Sequence, residues 1–293
     1  MKSTFETFRN LTGTVIKTGA LALLIVVASC SKDDNNEEPV KPDPKVELTI
    51  HPTLGNYLTD GDGNTLYYFS NDVAGANTCT GGCATNWPIF FEDALTQDFL
   101  GEGLSLDDFA SITTPAGKQT TYKGWPLYYY APGGVREAAN QQTGEAVGGV
   151  WFVAKPDYTI MIGRAQLVGQ DGKNYNANYE EGTGAVAYFT DAHGRTIYSF
   201  AFDKKDKNNY TNGDGSHDAV WPIYSEALEG VPSTLDLNLF GTITVSGAKQ
   251  LTYKGWPLYY FGNDAKRGDN KGVSVPQPGV WPVAVKDADE APL

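Results

Sequence analysis

A chain of 293 residues with 35 acidic against 22 basic side chains carries a formal net charge of −13, which repels phosphate backbones and argues against nucleic acid as a partner. No Gly-x-Ser-x-Gly elbow, His-Glu-x-x-His pair, phosphate loop or dinucleotide fingerprint occurs, so the common catalytic signatures are missing from the sequence. Its length suits one large or two ordinary domains.

The N-terminus reads as an address. Lys2, Arg9 and Lys17 precede the apolar run ALALLIVVAS, the layout of an export signal and too short for a membrane span. The run ends in Val27-Ala28-Ser29-Cys30, which resembles the lipobox of bacterial lipoproteins. That resemblance implies cleavage after residue 29 and a lipid on Cys30, with residues 30–46 as an acidic, Pro-rich tether. The acidic cluster directly behind Cys30 resembles the surface-export signal of Bacteroidetes lipoproteins, which implies the outer face of the outer membrane, with the periplasmic face as the alternative. Losing Lys2, Arg9, Lys17 and Glu6 removes a net +2, taking −13 to −15 in the mature chain.

From there the chain repeats itself. TYKGWPLYY occurs at Thr121–Tyr129 and again at Thr252–Tyr260. All six tryptophans pair at offsets of 134, 131 and 130 residues: Trp87 with Trp221, Trp125 with Trp256, Trp151 with Trp281. We read a first unit over 47–156, a connector over 157–181 and a second unit over 182–293. Each unit divides again into related halves, giving four half-repeats, and a period of roughly 40 to 60 residues is the signature of stacked or radial supersecondary units.

Short runs of Tyr, Phe, Trp, Val, Ile and Thr separated by Gly, Asn, Asp and Pro predict an all-β protein of tandem antiparallel units, sandwich-like or propeller-like. Asp107–Ser111 is an exception, with helical spacing. Tyr122-Lys123-Gly124-Trp125-Pro126 reads as a strand end, a tight turn on glycine and a restart, with Lys123 as a solvated turn residue.

The pattern Tyr-x-Phe-x-x-Asp recurs as Tyr67/Phe69/Asp72, Tyr198/Phe200/Asp203 and Tyr259/Phe261/Asp264. With the Cys79-to-Cys83 segment before Trp87-Pro88 and the Gly-Val-Trp strands, it resembles the secreted-repeat lipoprotein family defined by a Y-x-(F/W/Y)-x-x-D motif. The resemblance spans nearly the whole mature chain and implies an architecture and a compartment, with no established activity. Two departures stand out: the fourth motif site, Tyr128 to Gly133 in the second half of the first unit, has Gly133 where aspartate is expected, and the second unit lacks the cysteine pair.

Physically, Tyr and Phe two apart share one face of a strand, and the Asp three further on reaches the turn, where it can accept backbone N–H groups. Each buried aromatic removes roughly 150–250 Å² from water, about 4–6 kcal/mol gross and less against a compact unfolded chain. The motif residues and the six tryptophans therefore read as a packed core built twice; their alternative use is an exposed platform for sugars or another ring-bearing ligand.

Cys79 and Cys83 read first as a disulfide, with a chain-entropy contribution of about 2 kcal/mol for so short a loop. The alternative is a copper site completed by His51, His193, His217 or Met161, of which His217 lies opposite Cys83 in the repeat alignment. Asp60/Asp62/Asn64 and Asn212/Asp214/Asp218 space oxygens as calcium loops do, yet neither completes an EF-hand, and both read better as hairpin turns. No cofactor is expected.

These readings converge on a surface-anchored, non-catalytic binding or structural module of the cell envelope. Its partners are the outer membrane, through the lipid, and a glycan or envelope protein. The alternatives are a copper-handling or redox accessory protein using Cys79 and Cys83, and a glycan-active enzyme with facing carboxylates about 5 to 9 Å apart.

Overall fold

A computed structural model describes residues 42–293; Cys30 and the tether up to residue 41 lie outside the described residues. The first unit opens with the hairpin β1 (Val46–His51) and β2 (Gly55–Asp60), followed by the short aromatic strand β3 (Tyr67–Phe69). Helix α1 (Gly82–Asn86) leads into Trp87. A second hairpin, β4 (Phe109–Thr114) and β5 (Gly117–Tyr122), continues through β6 (Trp125–Tyr128), and β7 (Trp151–Val153) closes the unit.

The second unit repeats the plan. Hairpin β8 (Met161–Val168) with β10 (Ala185–Thr190) carries the two-residue strand β9 (Asn174–Tyr175) at its end, and β11 (Phe240–Val245), β12 (Ala248–Tyr253) and β13 (Trp256–Pro257) follow. All pairings between these strands are antiparallel, in four small sheets with no closed barrel. The all-β expectation holds, built from four related half-repeats as read from the sequence.

The register repeats residue for residue. Tyr67 pairs with Tyr128 and Val153, and Ile89 with Tyr128; in the second unit Tyr198 pairs with Tyr259 and Val283, and Ile223 with Tyr259. Each unit is thus two hairpins around a central aromatic ribbon.

Two boundaries and one local element differ from the sequence reading. Residues 157–181 contain β8 and β9, and β8 is the partner that β10 needs, so the stretch belongs to the second unit's first hairpin. At the other end, Val46 is fully buried in β1, so the fold begins just before residue 47. The helical spacing at Asp107–Ser111 yields a single 3-10 turn, Leu106–Asp108, before β4, because Ile112 and Thr114 continue a strand pairing with β5.

The described residues form one compact unit. A shared core joins the repeats: Tyr68, Trp125 and Phe152 of the first pack with Phe189, Ile197, Tyr224 and Leu251 of the second. No described helix is long and apolar enough to cross a membrane.

Candidate functional site

The motif residues of each unit meet in one cluster. In the first, Phe69 stacks on Trp151 at 4.0 Å, Trp151 on Trp87 at 3.7 Å, and Trp87 on Tyr130 at 4.4 Å. In the second, Phe200 stacks on Trp281 at 4.4 Å, Trp281 on Trp221 at 3.7 Å, and Trp221 on Phe261 at 4.4 Å. Motif tyrosines close both stacks edge-on, Tyr67 on Trp87 and Tyr128 on Trp151, Tyr198 on Trp221 and Tyr259 on Trp281. Such edge-to-face contacts match the positive ring edge to the negative face.

The tyrosine hydroxyls then cross between half-repeats. Tyr128 donates to Asp72 Oδ2, Tyr259 to Asp203 Oδ2 at 2.7 Å, and Tyr198 to Asp264 Oδ2 at 2.6 Å. The other oxygen of each carboxylate accepts a backbone N–H six or seven residues on, from Thr78, Asn209 and Lys271. Where Gly133 replaces aspartate, Glu137 takes the role: it accepts from the Tyr67 hydroxyl at 2.6 Å and from the Thr143 N–H at 2.8 Å. The motif reading missed Glu137, whose signal is the same six-residue spacing to a capped threonine, Glu137 to Thr143 as Asp72 to Thr78.

Burial dominates the electrostatics of these sites. Loss of water pushes Asp72 and Asp203 up to about 6 and Asp264 to about 7, against hydrogen bonds from their tyrosine and backbone donors that pull the other way. The paired hydroxyls of Tyr67, Tyr128, Tyr198 and Tyr259 are raised by desolvation and by the facing carboxylate.

A second carboxylate pair shapes the first hairpin turns. Asp60 accepts from the N–H groups of Asp62 and Asn64 and from the Tyr129 hydroxyl, and Asp191 accepts from His193, Arg195 and the Tyr260 hydroxyl. Asn212 and Asp214 likewise accept the N–H groups of Asp214 and Ser216. His217 Nδ1 lies 2.6 Å from the Tyr210 carbonyl with its ring stacked on Tyr210. Cys79 and Cys83 are joined as a disulfide, which presents no thiolate pair. Among the described residues no group of three or more His, Cys, Asp and Glu is placed to hold a metal ion.

Lys123 and Gly124 form a two-residue hairpin turn, both in the left-handed region, and Lys254–Gly255 repeats it. Neither lysine is simply solvated: Lys123 Nζ donates to the Pro156 carbonyl and Lys254 Nζ to that of Ala288. The turn carbonyl of Lys123 accepts from Arg267 of the second unit, whose guanidinium also donates to the Val73 carbonyl and lies 4.8 Å from the Trp125 ring.

With the motif rings stacked internally, the accessible concavities lie elsewhere. An acidic cleft of about 310 Å³ at the junction is lined by Asp157, Asp191, Glu226, Glu229, Tyr224 and Tyr260 among others. An apolar groove of about 600 Å³ lies on the second unit beside Trp256, the one half-buried tryptophan of the six.

Residues 48–90 and 242–285 match a family described as a secreted repeat of unknown function. The first match spans β1 to Trp87-Pro88 and Phe90 and the second β11 to Trp281-Pro282 and Val285, so hairpin, aromatic strand and Trp-Pro are what the two segments share. No curated protein and no solved structure matches the chain. The two matched segments, one from the first half of the first unit and one from the second half of the second, are copies of the secreted repeat that defines this family.

Proposed function

We propose that this protein is a lipid-anchored, surface-exposed module of the outer membrane that binds or scaffolds without catalysis. The observation that carries the reading is that the repeated residues are spent on one another. Ring stacks, crossed Tyr–carboxylate pairs and capped turns use every motif side chain in holding the units together. Repetition therefore builds a scaffold, while the grooves around it are free to differ between units. The export-type N-terminus, Cys30 and the acidic tether support the anchored compartment, as does the match to a secreted repeat.

Metabolic labelling with an alkyne fatty acid, combined with protease shaving of intact cells, tests it. The wild type is expected to carry lipid and to be cleaved at the surface, and Cys30→Ser to lose the label. An unlabelled wild type, or one protected until the outer membrane is opened, overturns the surface-anchored reading.

A further inference from the structure

The two units carry the same site in two states. Around Trp125 the first unit places Tyr68, Tyr122, Leu127, Phe152 and Ala154; the second has Ser199, Tyr253, Leu258, Pro282 and Ala284 around Trp256. Two large rings, Tyr68 and Phe152, have become Ser199 and Pro282. In the first unit Tyr68 packs on Trp125 at 5.0 Å and on Phe152 at 5.6 Å, and the residual cavity is about 10 Å³. In the second, Trp256 stacks on no ring among the described residues, and the space is about 600 Å³.

The polar requirements of the two sites are met in parallel. Trp125 Nε1 donates to the Ala192 carbonyl and the Lys123 carbonyl accepts from Arg267, both supplied by the second unit. Trp256 Nε1 donates to the Asp289 carbonyl and the Lys254 carbonyl accepts from the Ala291 N–H, both supplied by the C-terminal segment. That segment satisfies the hairpin as a further repeat would, and it leaves the groove open. A third repeat or a second copy would need the Tyr68 and Phe152 knobs by which the first unit engages its neighbour, and this face lacks them.

We propose that the groove over Trp256 is a binding site for a compact cationic molecule with a planar apolar ring. The volume is that of a small-ligand pocket. Its lining combines Trp256 and Tyr179 with alanines and valines, which suits a flat apolar ring. The charged side chains lining it are Asp287 and Asp289, both exposed at the rim; the Lys254 ammonium bonds the Ala288 carbonyl between them, so two carboxylates face one fixed cation and the excess negative charge favours a ligand ammonium. The inference rests on the reading of the chain as a binding module and names the ligand class.

Calorimetric titration of the full chain in nanodiscs, with tryptamine and indole-3-acetate as probes, tests it, because the two share a ring and differ in charge. Tryptamine is expected to saturate one site per chain and indole-3-acetate to bind at least tenfold more weakly. Ser199→Tyr with Pro282→Phe, which restores the rings of the first unit, is expected to abolish tryptamine binding; Ala187→Trp, at an exposed lining position, is a second block that leaves the core untouched. No saturable tryptamine binding, equal binding of both probes, binding undiminished in the blocked variants, or self-association through this face that excludes tryptamine would overturn the proposal. Lipidation and surface exposure are read in a separate experiment, so a failed titration removes the ligand class and leaves the anchored reading standing.

Discussion

At the scale of single residues, Asp72, Asp203 and Asp264 show how a turn cap becomes a core group. Each sits in the first turn after its strand, where sequence reasoning placed it, and each is nearly inaccessible because a tyrosine from the other half-repeat closes over it. Their pKa values are raised, to about 6, 6 and 7. A carboxyl with a raised folded-state pKa contributes stability that is complete below its unfolded value, about 4, and is lost as pH rises through the folded value. Urea unfolding is therefore expected to give lower stability at pH 8 than at pH 5, on the order of 1 to 3 kcal/mol per group. Asp264→Asn should shrink that difference; an unchanged pH profile would contradict the assignment. The carboxylate at Glu137 lay beyond reach of the motif because it arrives four residues late on a different loop path; its six-residue spacing to Thr143 hints at the role, and the Tyr67 hydroxyl bonded to it shows that it completes the set.

At the scale of elements, the Lys-Gly hairpins provide an internal comparison. Gly124 and Gly255 have φ of +78° and +81°, so alanine is strained at both. At Gly124 an added Cβ would also lie 1.9 Å from Arg267 Nη1, held in place by two carbonyls and a tryptophan face, whereas at Gly255 the nearest atom is the flexible Lys205 Cγ at 2.8 Å. Gly124→Ala is expected to cost about 2 to 4 kcal/mol and Gly255→Ala about 1, read as the difference in unfolding free energy. Equal costs would mean that Arg267 yields freely. The turn itself was legible from Lys-Gly followed by Trp-Pro, since a two-residue reversal with both positions left-handed has few sequence solutions. The lysine contacts were not legible, because their acceptors, the carbonyls of Pro156 and Ala288, lie more than thirty residues away.

At the scale of the whole molecule, the repeats are halves of one body. Tyr68, Trp125 and Phe152 are buried under the second unit, and Arg267 crosses between units to cap a turn in the first. Exposing three large rings forfeits several kcal/mol of burial at about 25 cal/mol per Å², comparable to the whole stability of a small domain. Residues 42–156 expressed alone are therefore expected to lack a cooperative unfolding transition, whereas the full chain should unfold in one. A stable, monomeric 42–156 fragment would show the units to be independent domains.

The sequence by itself determined the all-β class, the two units, the four half-repeats and the use of the motif rings as core, because strand alternation, turn residues and matched tryptophans are local or periodic signals. Tertiary structure decided what periodicity cannot carry. It showed that the supposed connector supplies β8, that tyrosine hydroxyls cross to the opposite half-repeat, that Glu137 stands in for an aspartate, and that Trp125 and Trp256 lie in a filled and an open version of one site. Each of these depends on which distant backbone arrives beside a side chain, and that is set by packing the shared core.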